Sequence, residues 1–518
     1  MSSFQTSGLA AAVAALLFAA LCRGLYRHLS AQRKRFPPGP RPLSFIGNSH
    51  QILSTYMQRR FAEWKAEYGD VVYARLFQKP VVILNSAQAA RDLMEKKNAI
   101  YSDRPRTVLY DEIMEWDSGM LFMKYGDRWK KHRKWAQNAY NDKAALMSYR
   151  PLQRREVHTL LSGLLDAPDQ FEGHIKRYFA ALVMETAYGH TIASVDDFYV
   201  RMADEAVSAT GSTGAPGASL IDIFPFLRYV PPWLPGAGFM RRAYKIGQLV
   251  KATNHIPYEN VKNAMNEGTA KPCLVSSLVR DATAAGLLTA EHEEDIKGAA
   301  GILYAGADFA TLASFILAMM IYPDVLKKAQ EEIDRVVGRS RLPDFEDRDS
   351  LPYLECLVKE TYRWSCPLPL GIAHRVMEED HYRGYYIPKG STIIPNVWCM
   401  TQDPAVYSEP EKFRPERFQD LTQGEAEQKD PNSFVFGFGR RICPGRHFAD
   451  ASIWLAIACT AALFDIRKAR SADGQEITPA PDFNTGFVSH PKRFPCEIKP
   501  RSAGTKKLLS EYSYLVQI

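Results

Sequence analysis

The sequence predicts a mainly α-helical fold with a minor β-sheet, preceded by one N-terminal transmembrane helix. Three observations support this fold class: most long segments repeat apolar residues at helical spacing, one pair of short runs reads as two strands, and the chain begins with an uncharged apolar stretch. The chain has 518 residues, of which 46% are hydrophobic, so it can bury a large core. Because no linker or repeat interrupts residues 43–500, we expect one large domain there and a short tail at residues 501–518.

The overall charge and the cysteine content argue against several other classes of protein. The formal net charge is +7, which is small for 518 residues and argues against a dedicated nucleic-acid-binding protein. The eight cysteines are scattered along the chain, and no two are spaced as Cys-x-x-Cys. We therefore expect neither a disulfide framework nor a zinc ribbon, and a reducing compartment fits this cysteine usage better.

The N-terminal segment favours a membrane anchor. Residues 1–22 contain no charged side chain, and a helix of that length, at about 1.5 Å per residue, matches the roughly 30 Å hydrocarbon core of a bilayer. Basic residues follow the apolar stretch, so we assign residues 1–26 to a single-pass anchor that leaves the large domain in the cytosol. Residues 27–42 are basic and then rich in proline, which predicts a stiff hinge. A cleaved signal peptide and a buried alanine-rich helix are the alternative interpretations.

Periodicity places the regular elements of the large domain. Residues 71–76 and 81–84 predict a β-hairpin. Helical spacing predicts helices over residues 56–68, 127–139, 290–321 and 353–364. The small residues at 210–217 predict a loop. Residues 224–236 are rich in aromatic residues and proline, and they fit either a core loop or a surface patch that dips into lipid.

The segment around Cys443 carries the most specific chemical pattern in the chain. Gly439 and Gly445 allow the backbone to approach a bulky flat ligand, and Phe436 adds an aromatic ring. Arg441 and the start of a helix just beyond the cysteine favour the thiolate over the thiol. A single thiolate beside an aromatic ring suits a large cofactor that needs one axial ligand. We therefore predict that Cys443 binds the iron of heme.

With this segment, the sequence resembles the cytochrome P450 family, in particular its microsomal, fungal type, from the proline-rich hinge to about residue 500. Glu360 and Arg363 match the ExxR motif of the family's K helix, and Arg417 lies in a matching Pro-Glu-Arg-Phe segment. The resemblance implies that these three residues form a structural lock behind heme b. It also implies that the anchor lies in the membrane of the endoplasmic reticulum.

The resemblance further implies which residues hold the heme carboxylates. Trp129 and Arg133 match the WxxxR motif of the family's C helix, and their spacing of four residues places them on one face of a helix. Arg375 and Arg441 resemble the remaining carboxylate partners. Basic residues near these positions would dock an acidic electron donor, namely NADPH-cytochrome P450 reductase, with cytochrome b5 as a further donor. They are Lys130, Lys131, Lys134, Arg440 and Arg446.

The predicted helix over residues 290–321 departs from the pattern of the family. The sequence matches the family's AGx(D/E)T motif as far as Asp308, but Phe309 stands where the threonine is expected. Either phenylalanine has replaced threonine, or two residues are missing before the segment that follows. Thr311 lies three residues beyond Asp308 and would share its helix face, so we predict that Asp308 and Thr311 deliver protons during catalysis.

The resemblance implies a monooxygenase that inserts one oxygen atom from O2 into a lipophilic small molecule, with electrons from NADPH. Segments equivalent to the family's substrate-contacting regions are nearly all apolar, which fits a terpenoid, a polyketide or a similar metabolite. The expected contacts are Met114, Trp116, Phe122, Met123, Ala307, Leu370, Ile372, Phe487 and Val488. The missing threonine leaves a heme-thiolate isomerase or dehydratase as an alternative. A catalytically silent heme protein that scaffolds partner enzymes is the other alternative.

Overall fold

The long helices form most of the structure. The computed structural model describes residues 35–52, 56–213, 219–305, 309–484 and 486–516, so the predicted anchor at residues 1–26 lies outside the described residues. The long helices are α1 (Met57–Tyr68), α2 (Asp127–Tyr140), α3 (Arg150–Asp166), α4 (Phe171–Tyr188), α5 (Phe198–Gly211), α6 (Gly238–Asn266), α7 (Leu274–Ala284), α8 (Ala290–Ala305), α9 (Ala310–Ile321), α10 (Pro323–Val336), α11 (Pro352–Ser365), α12 (Arg446–Leu463) and α13 (Thr505–Val516).

Short helical segments connect these helices and place several of the predicted site residues. The short α-helical segments are Ser49–Ile52, Ala87–Ala90, Asn98–Tyr101, Lys143–Ser148, Leu220–Ile223, Val397–Thr401, Gln423–Lys429 and Asn432–Val435. Two π-helical turns cover Arg91–Lys96 and Val108–Ile113. The 3-10 turns are Trp116–Ser118, Pro168–Gln170, Pro225–Tyr229, Phe345–Ser350, Pro415–Phe418 and Gly439–Arg441.

The strands form three small sheets. They are β1 (Val71–Leu76), β2 (Lys79–Leu84), β3 (His374–Arg375), β4 (Asp380–Tyr382), β5 (Tyr385–Ile387), β6 (Thr392–Pro395), β7 (Phe464–Lys468) and β8 (Cys496–Pro500). The largest sheet has the order β1-β2-β6-β3, with β2 and β6 parallel and the other pairs antiparallel. The β4–β5 and β7–β8 pairs are antiparallel. Helices therefore dominate the fold, as the sequence predicts.

The main core surrounds α9. Every residue from Ala310 to Met320 is buried, which explains why this helix is apolar on all sides rather than on one face. It packs against α11, α12 and β7. The lock motif lies on α11 and the cysteine loop immediately precedes α12, so both are attached to helices of the main core.

Most of the elements predicted from periodicity are confirmed. The hairpin is formed by β1 and β2, and α1, α2 and α11 match three predicted helices to within one residue at each end. The predicted helix over residues 290–321 is represented by α8 and α9, with residues 306–308 outside the described residues. The loop predicted at residues 210–217 is wrong at its start, because α5 continues to Gly211. There the Thr210 hydroxyl donates to the Ala206 carbonyl at 2.7 Å inside the helix.

The aromatic segment at residues 224–236 lies on the surface. It contains the 3-10 turn Pro225–Tyr229, and the side chains of Phe226 and Trp233 are 66% and 77% exposed. The interpretation of this segment as a core loop is therefore wrong, and the surface interpretation is retained.

Within the part of the chain that the structure covers, no single helix is both long and apolar enough to cross a membrane. Helices α9 and α10 pass that test only as a pair, and they are bent by 104° at their junction.

Candidate active site

Cys443 lies in a tight loop that leads into α12. The loop requires glycine at two positions, since Gly437 has φ +85° and Gly439 has φ +55°, and a methyl group on Gly439 would overlap the Met94 carbonyl oxygen. The backbone N–H of Cys443 donates to the Phe436 carbonyl at 2.8 Å, which closes the loop. The cysteine is thus presented on a short, rigid segment and remains partly accessible.

The surroundings of Cys443 act on its thiol in opposite directions. Burial raises the pKa of Cys443, while the Gly445 N–H and the charges of Arg133 and Arg446 lower it. An N–H that donates to sulfur and nearby cations both stabilise a thiolate ligand. Cys459 offers a contrast, because it is buried in α12 and its thiol donates to the Pro343 carbonyl at 3.3 Å.

Arg133 and Arg441 bring buried positive charge to the same region. Arg133 donates to the carbonyl of Ile442, beside the cysteine, and its Nε is buried without a hydrogen-bond partner. Three N–H groups of Arg441 donate to the carbonyls of Ser102, Met120 and Met123 at 2.7, 3.1 and 2.8 Å. Its guanidinium lies over the ring of Trp129, 4.4 Å from the ring centroid. Trp129, Arg133 and Arg441 therefore lie together, as the sequence predicts.

Arg104 is a third buried arginine in this region, and the sequence analysis missed it. Its Nε donates to the Leu121 carbonyl, and its Nη1 donates to the carbonyls of Ile372 and Ala373, each at 2.9 Å. Burial and the charge of Arg441 both lower the pKa of Arg104. The available signal was an arginine just before a proline in a polar stretch, which is too weak to assign a role.

None of these three arginines forms an ion pair with a carboxylate among the described residues. Burial lowers the pKa of Arg133 and of Arg441, as it does for Arg104. Burial and the charges of Arg104 and Arg441 also hold the pKa of His374 well below its usual value. The charge of Asp103 acts on Arg104 and Arg441, but Asp103 pairs with neither of them. Buried positive charge that lacks an ion pair fits an anionic ligand with two or more carboxylates.

Arg375 lies in a different electrostatic situation. Its Nη1 pairs with Oδ2 of Asp103 at 3.0 Å, and 40% of its side chain is exposed. The other oxygen of Asp103 accepts the backbone N–H of Tyr125 at 2.9 Å. Arg375 therefore already forms an ion pair within the protein, unlike the three buried arginines among the described residues.

The structure joins the three residues of the predicted lock. Glu360 and Arg363 are fully buried, and Arg363 binds both oxygens of Glu360 at 2.7 Å. Arg417 donates to the same carboxylate at 3.1 Å, and the backbone N–H of Arg414 does so at 2.8 Å. The remaining N–H groups of Arg363 donate to the carbonyls of Thr401, Pro410 and Lys412. One carboxylate thus ties α11 to the segment before the cysteine loop.

Most of the predicted substrate contacts form one apolar cluster. Met114, Trp116, Phe122 and Met123 are buried together, and Phe487 packs against them. The rings of Trp116 and Phe487 each lie 6.3 Å from that of Phe122, measured between centroids.

The remaining predicted contacts and the proton-delivery pair are only partly described. Leu370 packs near β1 and β2 rather than in the cluster, and Ile372 and Val488 are half-buried. Ala307 and Asp308 lie outside the described residues, whereas Thr311 is buried in α9. Phe309 points toward the C-terminal part of the domain, with its ring 4.9 Å from that of His490.

The donor set fits an iron porphyrin. Cys443 offers one sulfur ligand, Gly445 beside it faces open space, and the buried arginines can pair with the carboxylates of the porphyrin. Gly439 instead makes room for the Met94 carbonyl, so the prediction that it allows a flat ligand to approach is wrong. The side chains of Trp129, Arg133, Arg441 and Arg104 are the candidates for holding those carboxylates.

Comparison with known proteins agrees with this geometry. The sequence model of the family described as "Cytochrome P450" matches residues 37–497. The chain is similar to cytochrome P450 monooxygenase 176 of Postia placenta, with 45% identity over 93% of each chain. It is also 38% identical to cytochrome P450 monooxygenase claR of Ampulloclitocybe clavipes, over 92% of this chain and 89% of the relative. A monooxygenase of Armillaria gallica is 38% identical over 97% of this chain and 99% of its own length.

Proposed function

Because this chain belongs to the cytochrome P450 family of oxygen-incorporating oxidoreductases, we propose that it is a membrane-anchored heme-thiolate monooxygenase that acts on a lipophilic small molecule. The observation that carries this proposal is the placement of Cys443 beside buried arginines that lack a carboxylate partner among the described residues. When bound, the heme supplies the activation of dioxygen. The protein supplies the thiolate of Cys443, which the Gly445 N–H and the charge of Arg133 stabilise.

The substrate class follows from the apolar cluster. Met114, Phe122 and Met123 offer no hydrogen-bonding groups in their side chains beyond a weakly accepting sulfur, and the indole N–H of Trp116 is already bound to Thr210 at 3.1 Å. A site of this kind excludes water and favours an apolar substrate through the hydrophobic effect. We therefore propose a terpenoid, a polyketide or a similar lipophilic metabolite as substrate.

The proposed electron donor is NADPH-cytochrome P450 reductase, with cytochrome b5 as a further donor. Lys130, Lys134 and Arg440 are exposed on or near α2, on the side of the molecule that carries the cysteine loop. A positive surface there would speed the encounter with an acidic partner. Lys131 contributes less to this surface than the sequence suggests, because it pairs with the buried carboxylate of Asp295.

A lipid surface is the proposed location of the domain, through the anchor at residues 1–26 and the exposed segment at 224–239. This segment places several large apolar side chains in solvent. They are Phe224, Phe226, Tyr229, Trp233, Leu234 and Phe239. Phe224 packs on Phe77 with ring centroids 5.3 Å apart, so the patch adjoins the β1–β2 turn. We propose the membrane of the endoplasmic reticulum, with the large domain in the cytosol.

The ligation proposal is tested by the absorption spectrum of the reduced protein under carbon monoxide. Thiolate ligation should give a strongly red-shifted Soret band. Cys443→Ala should abolish this band, whereas Cys459→Ala should preserve it because that thiol is buried away from the loop. An unchanged spectrum in Cys443→Ala would overturn the proposal.

The membrane proposal is tested by fractionating microsomes. Deleting residues 1–35 should release most of the protein and leave the spectrum intact. Replacing both Phe226 and Trp233 by serine in the deleted protein should reduce the remaining association further, because both side chains are largely exposed. Glycosylation of an acceptor site introduced just after Pro42 would show a lumenal domain and refute the orientation.

A heme-thiolate isomerase or dehydratase is the second candidate function. It is favoured by one observation, the absence of a threonine directly after Asp308, where Phe309 stands. In the monooxygenase, we propose that Asp308 and Thr311 pass protons into the oxygen-binding space. Because the threonine is displaced, we expect part of the NADPH to be consumed without forming product. Inserting two threonines after Asp308 should then raise the product formed per NADPH and lower the release of peroxide. Turnover without NADPH would establish the isomerase instead.

A further inference from the structure

The segment that carries Met114 and Trp116 is held against two helices by unusually close contacts. A methyl group on Gly298 of α8 would overlap the backbone carbonyl oxygen of Ser118. A methyl group on Gly247 of α6 would lie 2.5 Å from the carbonyl oxygen of Ile113. The backbone of this segment therefore touches the backbones of α6 and α8 directly, which only glycine permits.

Asn254 of α6 has a side chain that contacts both α8 and the Trp116–Ser118 turn. Its side chain is buried, and Nδ2 donates to the hydroxyl of Ser118 at 3.2 Å. Its Oδ1 occupies the place that a methyl group on Gly301 of α8 would take. Asn254 thus contacts both α8 and the 3-10 turn Trp116–Ser118 from its position on α6.

Trp116 stands at the other side of the same junction. A cavity of about 20 Å³ separates it from Thr253, Pro257 and Gly301. This is room for one water molecule, so the indole is not packed tightly on that side. If the turn shifts, the ring of Trp116 can therefore move, and its contact with Phe122 in the apolar cluster changes with it.

We infer that Asn254, seated in the notch left by Gly301, is a positioning residue that sets the shape of the substrate site by fixing the Trp116–Ser118 turn. The inference rests on the proposed function, because it assigns the apolar cluster to substrate. Asn254 acts through Trp116 and touches no substrate itself. Its amide holds the turn by a hydrogen bond, and its oxygen holds the turn at a fixed distance from α8.

The test compares two heme ligands of different size in the purified, heme-loaded protein. Imidazole reports access to the iron alone, whereas 4-phenylimidazole also reports the space beside it. The ratio of their dissociation constants, followed by difference spectroscopy, is therefore a measure of shape that general destabilisation does not move. Asn254→Ala should change this ratio by roughly 2- to 150-fold, which corresponds to the range of coupling energies between residues in contact.

The variant Gly301→Ala provides the decisive comparison. In the wild-type background its methyl group collides with Oδ1 of Asn254 and should change the ratio at least as much as Asn254→Ala does. In the Asn254→Ala background the collision is gone, so Gly301→Ala should change the ratio less than about two-fold. Gly173→Ala on α4 is the matched control, because a methyl group there meets no atom within 4 Å.

Two results would overturn the inference: an unchanged ratio in Asn254→Ala, or an equal effect of Gly301→Ala in both backgrounds. If Gly301→Ala alone fails to fold, Ser118→Ala removes the same hydrogen bond without a collision and should shift the ratio in the direction of Asn254→Ala. Failure of the proposed function would look different. The wild-type protein would then show no thiolate-type spectrum and no change on addition of imidazole.

Discussion

Two groups of buried arginines in this molecule have opposite electrostatic designs. In the lock, Arg363 and Arg417 share the carboxylate of Glu360, and the other N–H groups of Arg363 donate to carbonyls. Beside the cysteine loop, Arg133 and Arg441 donate only to carbonyls among the described residues, and Nε of Arg133 has no partner there. Both groups are buried, so a direct ion pair with a carboxylate is what distinguishes them.

The difference separates a part of the fold from a binding site. A buried charge that lacks a partner is costly, and a protein retains it only where something else compensates. The lock contains its own compensation and can form during folding. Among the described residues, the arginines near Cys443 form no ion pair with a carboxylate, so a bound anion would compensate their charge. The arrangement of these arginines therefore indicates a bound ligand, whereas the arrangement of the lock residues indicates a structural role.

Among the substitutions that test this comparison, Glu360→Gln is expected to have the largest effect on stability. The substitution keeps the shape but leaves Arg363 and Arg417 buried without a carboxylate. Removing one partner of a buried pair costs about 3–5 kcal/mol, which is a large part of the stability of a typical domain. We expect little folded, heme-loaded protein, as measured by expression yield and denaturant unfolding.

Glu409→Gln is the matched control for that prediction. Glu409 lies in the same region and pairs with Lys412 and Arg414, but all three side chains are substantially exposed. Loss of such pairs costs about 0–1 kcal/mol. A comparable loss of stability in the two variants would show that the lock does not behave as a buried ion pair.

Arg441→Met should have the next largest effect, and chiefly on retention of the cofactor. A charge-assisted hydrogen bond contributes about 1.5–3 kcal/mol, so heme should leave this variant roughly 10- to 100-fold faster. The rate of heme transfer to excess apomyoglobin measures this loss. Arg440→Met is the control, because Arg440 is exposed and its guanidinium contacts only Tyr125 among the described residues. Equal rates in the two variants would contradict the assignment of Arg441.

The features that could be predicted from the sequence depend on residues that lie close together in the chain. Three local patterns each lead to the observed structure. They are the spacing of Glu360 and Arg363 on one helix, the glycines around Cys443 and the two short apolar runs of the β-hairpin. Local patterns also explain the error at residue 210, where small residues suggested a loop. The Thr210 hydroxyl accepts from the indole N–H of Trp116 at 3.1 Å and donates to the Ala206 carbonyl, and both bonds stabilise the last turn of α5.

Features that depend on distant segments could not be read from the sequence. Arg104 acquires its role only because Leu121 and Ile372 converge on it from separate loops. The pairing of Arg375 with Asp103 likewise joins β3 to a segment far away in the chain. No periodicity or motif encodes such contacts, because they are set by how the elements pack.

Asp295 of α8 is a buried carboxylate with several cationic partners, and its substitution should have a smaller, pH-dependent effect on stability. Its buried carboxylate pairs with Arg128, Lys131 and His132, all on the helix that carries Trp129 and Arg133. These partners hold the pKa of Asp295 well below its usual value, although burial opposes them. The carboxylate therefore contributes stability above the unfolded pKa of about 3.9 and loses it as the pH falls further.

Asp295→Asn should accordingly be less stable than the wild type by about 1–2 kcal/mol at pH 7, since Arg128 and Lys131 are partly exposed. The difference in free energy of unfolding should shrink as the pH falls below about 4. Burial lowers the pKa of His132, and protonation of this histidine reduces the stability of both proteins at lower pH. Denaturant unfolding of both proteins at several pH values measures the difference in stability. If this difference stays constant down to pH 3, the ion pairs of Asp295 are not its source.

Arg375→Gln should have the smallest effect, although sequence resemblance places Arg375 with Arg441. Arg375 is 40% exposed and its charge is already balanced by Asp103, so it has little unsatisfied charge to offer an anion. We expect a change in stability of about 0–1 kcal/mol and a rate of heme transfer within roughly five-fold of the wild type. Asp103→Asn removes the carboxylate that pairs with Arg375, so the guanidinium becomes free to bind an anion. We expect this variant to transfer heme more slowly than the wild type or at the same rate. If Arg375→Gln instead loses heme as fast as Arg441→Met, the cofactor must draw Arg375 away from Asp103. An internal counter-charge would then no longer separate structural arginines from ligand-binding ones in this molecule.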